Sequence, residues 1–340
     1  MPPEWAPHER TLMAWPCRRD LWGPELEAAK REYAGVANAI AAFEPLTMVC
    51  ADQRDAAEAR AALTHTAEIL ELPIDDSWLR DSGPVFVLDA TGRRAGVHFG
   101  FNAWGGKFPP WDRDAAVGGR LIEHLGDPLF SAPLVLEGGS IAVDGRGTLV
   151  TTEQCLLNPN RNPGLDRATI ERHLRDHLGA TAIVWLGAGL AEDRDTDGHV
   201  DMLAAFTPSG ELLLQSAPPG TPDHEPMLEN RARAEAAGLD VIDFPPLAHV
   251  EVAGETAVLS YLNGYVGDRF VIAPLAGQPT DEEALERLRR AYPGHEVVGV
   301  PAATVAYGGG GPHCITQQVP SLGREHHVQP EGDQRRAEPE

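Results

Sequence analysis

The stretch Val85-Phe86-Val87-Leu88-Asp89-Ala90-Thr91-Gly92-Arg93-Arg94-Ala95-Gly96-Val97-His98-Phe99 decides the fold. Val85 to Asp89 is apolar and rich in strand-forming residues, Thr91-Gly92 is a turn, and Gly96 to Phe99 is a second short strand. The same strand–turn–strand pattern recurs along the chain. Ile141 to Val143 and Thr148 to Thr152 flank Asp144-Gly145; Met202 to Phe206 and Glu211 to Gln215 flank Pro208-Ser209-Gly210. Ala257 to Leu262 and Arg269 to Ala273 read as a fourth hairpin around Asn263-Gly264 and Gly267-Asp268. The hairpins begin near residues 85, 141, 202 and 257, and Cys314 to Val319 supplies a fifth half-hairpin that would close against Thr11 to Trp15.

Helical segments lie between them: Glu25 to Phe43, Asp55 to Leu70, Asp166 to Leu178, Glu225 to Ala237 and Asp281 to Tyr292 carry Ala, Leu, Glu and Arg at helical spacing. Asp166 and Asp281 stand where N-caps are wanted, Gly179 and Gly238 where C-caps are wanted. Short apolar strands follow most helices, at Leu46 to Cys50, Ala182 to Leu186, Val241 to Phe244 and Val297 to Val300. A repeat of this period predicts about five α/β modules around an axis rather than a doubly wound sheet. Residues 1–320 form one domain in this reading, and the polar stretch 321–340 a disordered tail.

Composition narrows the function. The 340 residues include 28 Lys and Arg against 51 Asp and Glu, a net charge of −23. So negative a surface repels nucleic acid and anionic membranes and attracts small cations. No apolar run reaches the length of a membrane helix, and no targeting segment is visible at the N-terminus. Cys17, Cys50, Cys155 and Cys314 are far apart with no C-x-x-C pair, which fits a reducing cytoplasm.

The unusual polar residues fall at equivalent places on the repeat. Asp81 lies four residues before the first hairpin and Glu137 four before the second; His199 and Asp201 open the third, and Cys314 opens the fifth after Gly308-Gly309-Gly310-Gly311-Pro312-His313. Modules around an axis would bring these side chains together. His199 and Asp201 are two apart, so on a strand both would face the same way. Each also has an ordinary reading: a surface His-x-Asp pair, an Arg80-Asp81 salt-bridged turn, a Glu137 shaping a Gly-Gly bend, a buried inert cysteine.

Together these residue types suit a guanidinium, which is planar, always charged and resistant to attack. Two carboxylates, Asp81 and Asp201, would hold its nitrogens by charge-assisted hydrogen bonds. The Cys314 thiolate would add to the central carbon, with His199 as acid and then base and Glu137 orienting His199. A thiolate needs a cationic neighbour; His199 or the bound substrate itself could serve. Two other classes stay open on residues alone: a zinc site from His199, Asp201, His313 and Cys314, and a guanidinium-binding module without turnover.

Several long blocks resemble a known family. They are Met1 to Pro16, Trp78 to Pro84, Phe101 to Lys107, Glu137-Gly138-Gly139, Thr151 to Pro163, Thr196 to Asp201, Tyr261-Leu262-Asn263 and His313 to Gln318. The chain resembles agmatine deiminases, in the Porphyromonas-type peptidylarginine deiminase branch of the guanidine-modifying penteins. The resemblance covers residues 1–320. It implies a five-fold pseudosymmetric αββαβ propeller (the pentein fold) and hydrolysis of agmatine to N-carbamoylputrescine and ammonia, without metal or other cofactor. By matching motif the nucleophile falls on Cys314, the histidine on His199, and the carboxylates on Asp81, Asp201 and Glu137. Trp78, Trp104 and Lys107 lie in matching blocks as pocket-lining residues. Met202, Gly311-Pro312 and Gly264 depart from the family pattern, so peptidylarginine or another guanidine compound is the alternative substrate. The partner expected is a small cationic guanidine, not nucleic acid or membrane; the assembly is open, with a homodimer one option.

Overall fold

The computed structural model describes residues 1–323 and is a mixed α/β fold. The strands are β1 His8–Ala14, β2 Leu46–Cys50, β3 Glu68–Glu71, β4 Val85–Leu88, β5 Arg94–Gly100, β6 Leu129–Val135, β7 Ala142–Val143, β8 Thr148–Thr152 and β9 Ala182–Leu186. They continue as β10 Ala204–Phe206, β11 Leu212–Gln215, β12 Val241–Phe244, β13 Leu247–Val252, β14 Glu255–Ser260, β15 Tyr265–Gly267, β16 Phe270–Leu275, β17 Glu296–Pro301 and β18 Thr316–Pro320.

Four three-stranded sheets share one pattern: β4-β5-β6, β7-β8-β9, β10-β11-β12 and β15-β16-β17. In each, the first two strands are antiparallel and the last two parallel. The parallel step needs a crossover, and a helix supplies it: Asp114–Leu125, Arg167–Leu178, His224–Ala236 and Thr280–Ala291. The chain's two ends complete a fifth sheet of the same kind. There β18 runs antiparallel to β1 with Leu12 opposite Gln317, and β1 runs parallel to β2, with β3 added at the edge. The expected closure of the C-terminal half-hairpin on the N-terminal strand is therefore present.

The helix Leu26–Ala41 shows why these segments pack. Leu26, Ala29, Tyr33, Val36, Ala37 and Ile40 recur at three- and four-residue steps and are all buried. They form one face of the largest apolar cluster, shared with Met48, Phe270, Ile272 and Val305. Truncating Ile40 to Ala there would cost about 2–5 kcal/mol. At the C-terminal end of Arg167–Leu178, Gly179 is left-handed at φ +70° and caps the helix, while the Asp166 carboxylate accepts from the Thr169 N–H at its start.

Four local expectations are corrected. The helix expected over 55–70 is Gln53–Ala62, capped by Asp52; the residues beyond it form β3, paired in parallel with β2. The helix Asp114–Leu125 was unexpected, because Gly118-Gly119 lowers helix propensity. Gly118 is required by packing: a Cβ there would stand 2.8 Å from His98 Nδ1. The fourth hairpin is paired differently. Residues 255–260 return on β13 across the left-handed pair Ala253 (φ +54°) and Gly254 (φ +82°), and β16 takes the short β15 instead. Asp281 is no N-cap; its carboxylate accepts from the Ala276, Gly277 and Gln278 N–H groups and the Tyr261 hydroxyl.

Ser321 and Gly323 still bond to Pro7 and Gly92; the rest of the expected disordered tail, 324–340, lies outside the described residues. Among the described residues no helix is long and apolar enough to cross a membrane.

Candidate active site

Single helical turns lead into three of the sheets and carry the polar residues. Asp81 is in the turn Leu79–Ser82 before β4, and Glu137 immediately precedes the turn Gly138–Ser140 before β7. His199 caps the turn Val200–Met202 that holds Asp201 before β10. His199 and Asp201 thus share a site through a tight turn and not through strand alternation, a correction to the expected geometry.

Gly139 reports how closely these groups meet. A Cβ there would lie 2.7 Å from Asp201 Oδ2, 2.7 Å from His199 Nδ1 and 2.9 Å from Asp81 Oδ1. Only glycine lets three such side chains converge around this backbone. The His199 ring is fully buried, with Nδ1 3.8 Å from Asp81 Oδ2 and Nε2 3.9 Å from Glu137 Oε2. Its backbone N–H is held by Asp193 Oδ2 and Thr196 Oγ1, both at 3.0 Å. Burial opposes its charge, but Asp81, Cys155 and Glu137 hold its pKa well above the ordinary histidine value.

Asp81 accepts from Trp104 Nε1 and from the Gly139 N–H, each at 2.9 Å. Burial raises its pKa, and Asp201 and Glu137 add to the rise against the pull of His199. Glu137, although buried, is held below the usual carboxylate range by His199 and Arg161. The Arg161 guanidinium donates to Glu137 Oε1 at 2.6 Å, to Asp197 Oδ2 at 2.5 Å and to the Thr196 carbonyl at 2.7 Å.

Cys314 precedes β18, its backbone C=O accepting from the Arg80 N–H at 3.1 Å. Its thiol lies 3.2 Å from Asn263 Oδ1 and 3.4 Å from Asp201 Oδ2. Burial, then Asp201 and Asp81, push its pKa well above the ordinary thiol value. The preceding glycines have a local cause: a Cβ at Gly310 would stand 2.8 Å from the Trp78 ring and 2.9 Å from Cys314 Sγ.

Asp81 and Cys314 border a cavity of about 370 Å³, solvent at its mouth included, lined also by Trp78, Trp104, Phe108, Asp76 and Asp195; His199, Glu137 and Asp201 are not among its lining residues. Lys107 stands apart from it. Its ammonium donates to the Arg194 and Asp195 carbonyls and to Asp197 Oδ1, so it holds the 194–197 loop. Met202 is also no part of this wall; it borders a separate groove with Glu192 and Tyr307. The four residues of the zinc reading, His199, Asp201, His313 and Cys314, lie near one another but do not form a metal-type grouping; among the described residues that grouping is Glu137, Cys155 and His199.

Sequence reasoning missed Asn263, Arg161 and Glu4 as contributors. All three sit in blocks already singled out for resemblance, but their roles depend on which distant residue they meet.

A buried thiol, a histidine whose pKa is raised by its neighbours and buried carboxylates gather in one acidic cluster, with Asp81 and Cys314 opening on the cavity; these are the residue types of a guanidine-modifying hydrolase. The sequence profile of the Porphyromonas-type peptidyl-arginine deiminase family matches residues 1–320, and the chain belongs to that family. It is 43% identical over 352 residues to agmatine deiminase of Stutzerimonas stutzeri, covering 94% of this chain and 95% of that protein. Among solved structures it is similar to agmatine deiminase of Enterococcus faecalis, with 34% identity, a TM-score of 0.89, and 94% and 95% of the two chains covered. A substrate-bound cysteine-to-serine variant of C. jejuni agmatine deiminase gives 27% identity and a TM-score of 0.87, covering 94% and 96%.

Proposed function

We propose that this chain is an agmatine deiminase, hydrolysing agmatine to N-carbamoylputrescine and ammonia, with residues 1–320 as a single catalytic domain. The observation that carries the reading is the convergence of Asp81, His199 and Asp201 around Gly139 beside the Cys314 thiol. The five sheets of the shared pattern are blades around an axis in this reading, which accounts for the meeting of residues so distant in sequence.

The guanidinium sits between Asp81 and Asp201, each accepting its N–H groups. Burial, with Asp201 and Asp81, favours the protonated Cys314 thiol while the site is free; an arriving cation offsets the two carboxylates, and the thiol proton leaves to solvent as the thiolate forms. The thiolate adds to the guanidinium carbon, His199 protonates the departing ammonia, and the amidino group stays on Sγ. His199, now neutral, takes a proton from water, which adds to the same carbon and releases the ureido product and the thiolate. Glu137, fixed by Arg161, favours the imidazolium between these steps. No step draws on a metal or other cofactor, and the four cysteines work reduced, in the cytoplasm.

Agmatine is preferred to arginine or peptidylarginine because the cavity wall carries Asp76 and Asp195 and no basic side chain among its lining residues. A second ammonium is attracted there and an α-carboxylate repelled. Incubation with agmatine, arginine and an arginine peptide, followed by assay of ureido product, tests this. Product from agmatine at a rate at least a hundred times that from the others is expected; comparable turnover of the peptide would move the substrate.

A further inference from the structure

His313 was read from the sequence only as a zinc ligand, yet it stands between a proposed clamp and the chain's N-terminal segment. Its Nδ1 lies 2.9 Å from Asp201 Oδ2 and its Nε2 2.6 Å from Glu4 Oε1. The line runs outward: the Asp201 and His313 side chains are 4% and 7% exposed, and Glu4 22%. Glu4, His313 and Asp201 border a second cavity with Trp5, Phe206 and Leu262, which shares no lining residue with the substrate cavity.

The partners of Asp201 are unevenly divided. Oδ2 meets both His313 Nδ1 and the Cys314 thiol, whereas Oδ1 is buried without a hydrogen-bond partner in the protein. A carboxylate pinned by one oxygen has its other oxygen aimed, and a buried acceptor so aimed suits a guanidinium N–H. The pin is itself held: Arg80 Nε donates to the His313 carbonyl at 3.2 Å, and Arg80 Nη1 lies 3.8 Å from Glu4 Oε1.

We propose that Glu4 and His313 are positioning residues for the deiminase reaction, the N-terminal segment reaching the site from behind to lock Asp201 in its substrate-holding orientation. The inference rests on the reading of Asp201 as a guanidinium clamp. The charged groups that face His313 are Glu4, Asp201 and Arg80, with His8 beyond Glu4. Burial and Arg80 oppose the imidazolium, Glu4 and Asp201 favour it, and the balance raises its pKa. Without Glu4 the ring loses its proton at lower pH. Its bond to Asp201 then loses charge assistance as pH rises through that value, and keeps it below.

The experiment is kcat/KM for agmatine between pH 6 and 9.5 in wild type, Glu4→Gln and Glu4→Asp. Glu4→Gln is expected near wild type at pH 6 and about tenfold lower at pH 9, the scale of one hydrogen bond to a charged group. Its alkaline limb shifts to lower pH, and Glu4→Asp restores most of the difference. A deficit equal at every pH, or none at all, would overturn the lock, as would Glu4→Asp behaving like Glu4→Gln. Absence of wild-type turnover would instead overturn the proposed function, so the two failures are distinct.

Discussion

Asp81 and Asp201 are both buried carboxylates facing the same histidine, yet the two sides of the site treat them in opposite ways. Asp81 is met by neutral donors, the Trp104 indole and the Gly139 amide. Burial wins there, and its pKa rises. Asp201 is met by the His313 imidazole and the Cys314 thiol. Burial opposes its charge too, but His313 wins, and its pKa falls. For the proposed clamp, the comparison teaches that the two arms need not be symmetric: on that reading Asp201 is the more readily charged arm, and Asp81 a costly anion that the substrate itself would complete.

Cys314 lies beside Asp201, its thiol 3.4 Å from Oδ2, and removing it has the largest expected effect. Cys314→Ala should lower kcat for agmatine at least ten-thousandfold, as expected when a covalent nucleophile is lost. Binding should survive, because both carboxylates remain. Titration calorimetry of agmatine into this variant checks that; a variant that retains turnover would exclude the covalent route.

The two arms can then be set against each other directly. Asp81→Asn and Asp201→Asn should each lower kcat/KM by about a hundredfold or more, since each removes a charged partner of the guanidinium. Their stabilities should diverge. Asp81 has a raised pKa, so its charge costs stability at neutral pH, a cost relieved as pH falls through the folded value. Asp201 has a lowered pKa, so its contribution is present above the ordinary carboxylate range and is lost on acidification. At pH 8 Asp201→Asn should melt several degrees below Asp81→Asn. The gap should narrow towards pH 4, when measured by thermal unfolding. Equal melting temperatures across that range would erase the asymmetry.

How much of this was legible in the sequence follows from the range of the forces involved. Hairpin turns at Thr91-Gly92 and Asp144-Gly145 are local, and the strands beside them lie where the pattern puts them. The pairing of residues 255–260 was not local. Two candidate partners flank them, and the two-residue Ala253-Gly254 turn decides for β13. At the site, the residue types and their equivalent places on the repeat marked Asp81, Glu137, His199, Asp201 and Cys314. The differing states of Asp81 and Asp201 could not be read, because they depend on Trp104 and His313, which are distant in sequence and brought close only by the fold.

Trp104 offers the finest test of the comparison, and the smallest effect. It sits in a turn where Ala103 and Trp104 are both left-handed, at φ +53° and +54°, a conformation that L residues adopt at a cost. That strain has a local outcome: the indole N–H is aimed at Asp81 Oδ2, and the ring packs edge-on against Phe101 and Phe108. Trp104→Phe keeps a Cβ and an aromatic ring under the same backbone strain but deletes the donor. If the indole is what holds the Asp81 arm, kcat/KM should fall about tenfold, the worth of one hydrogen bond to a charged group, with the melting temperature little changed. Trp104→Ala should fall further because packing is lost as well. If the two variants lose the same activity, the indole serves as wall and not as donor, and Asp81 is oriented by the Gly139 amide alone.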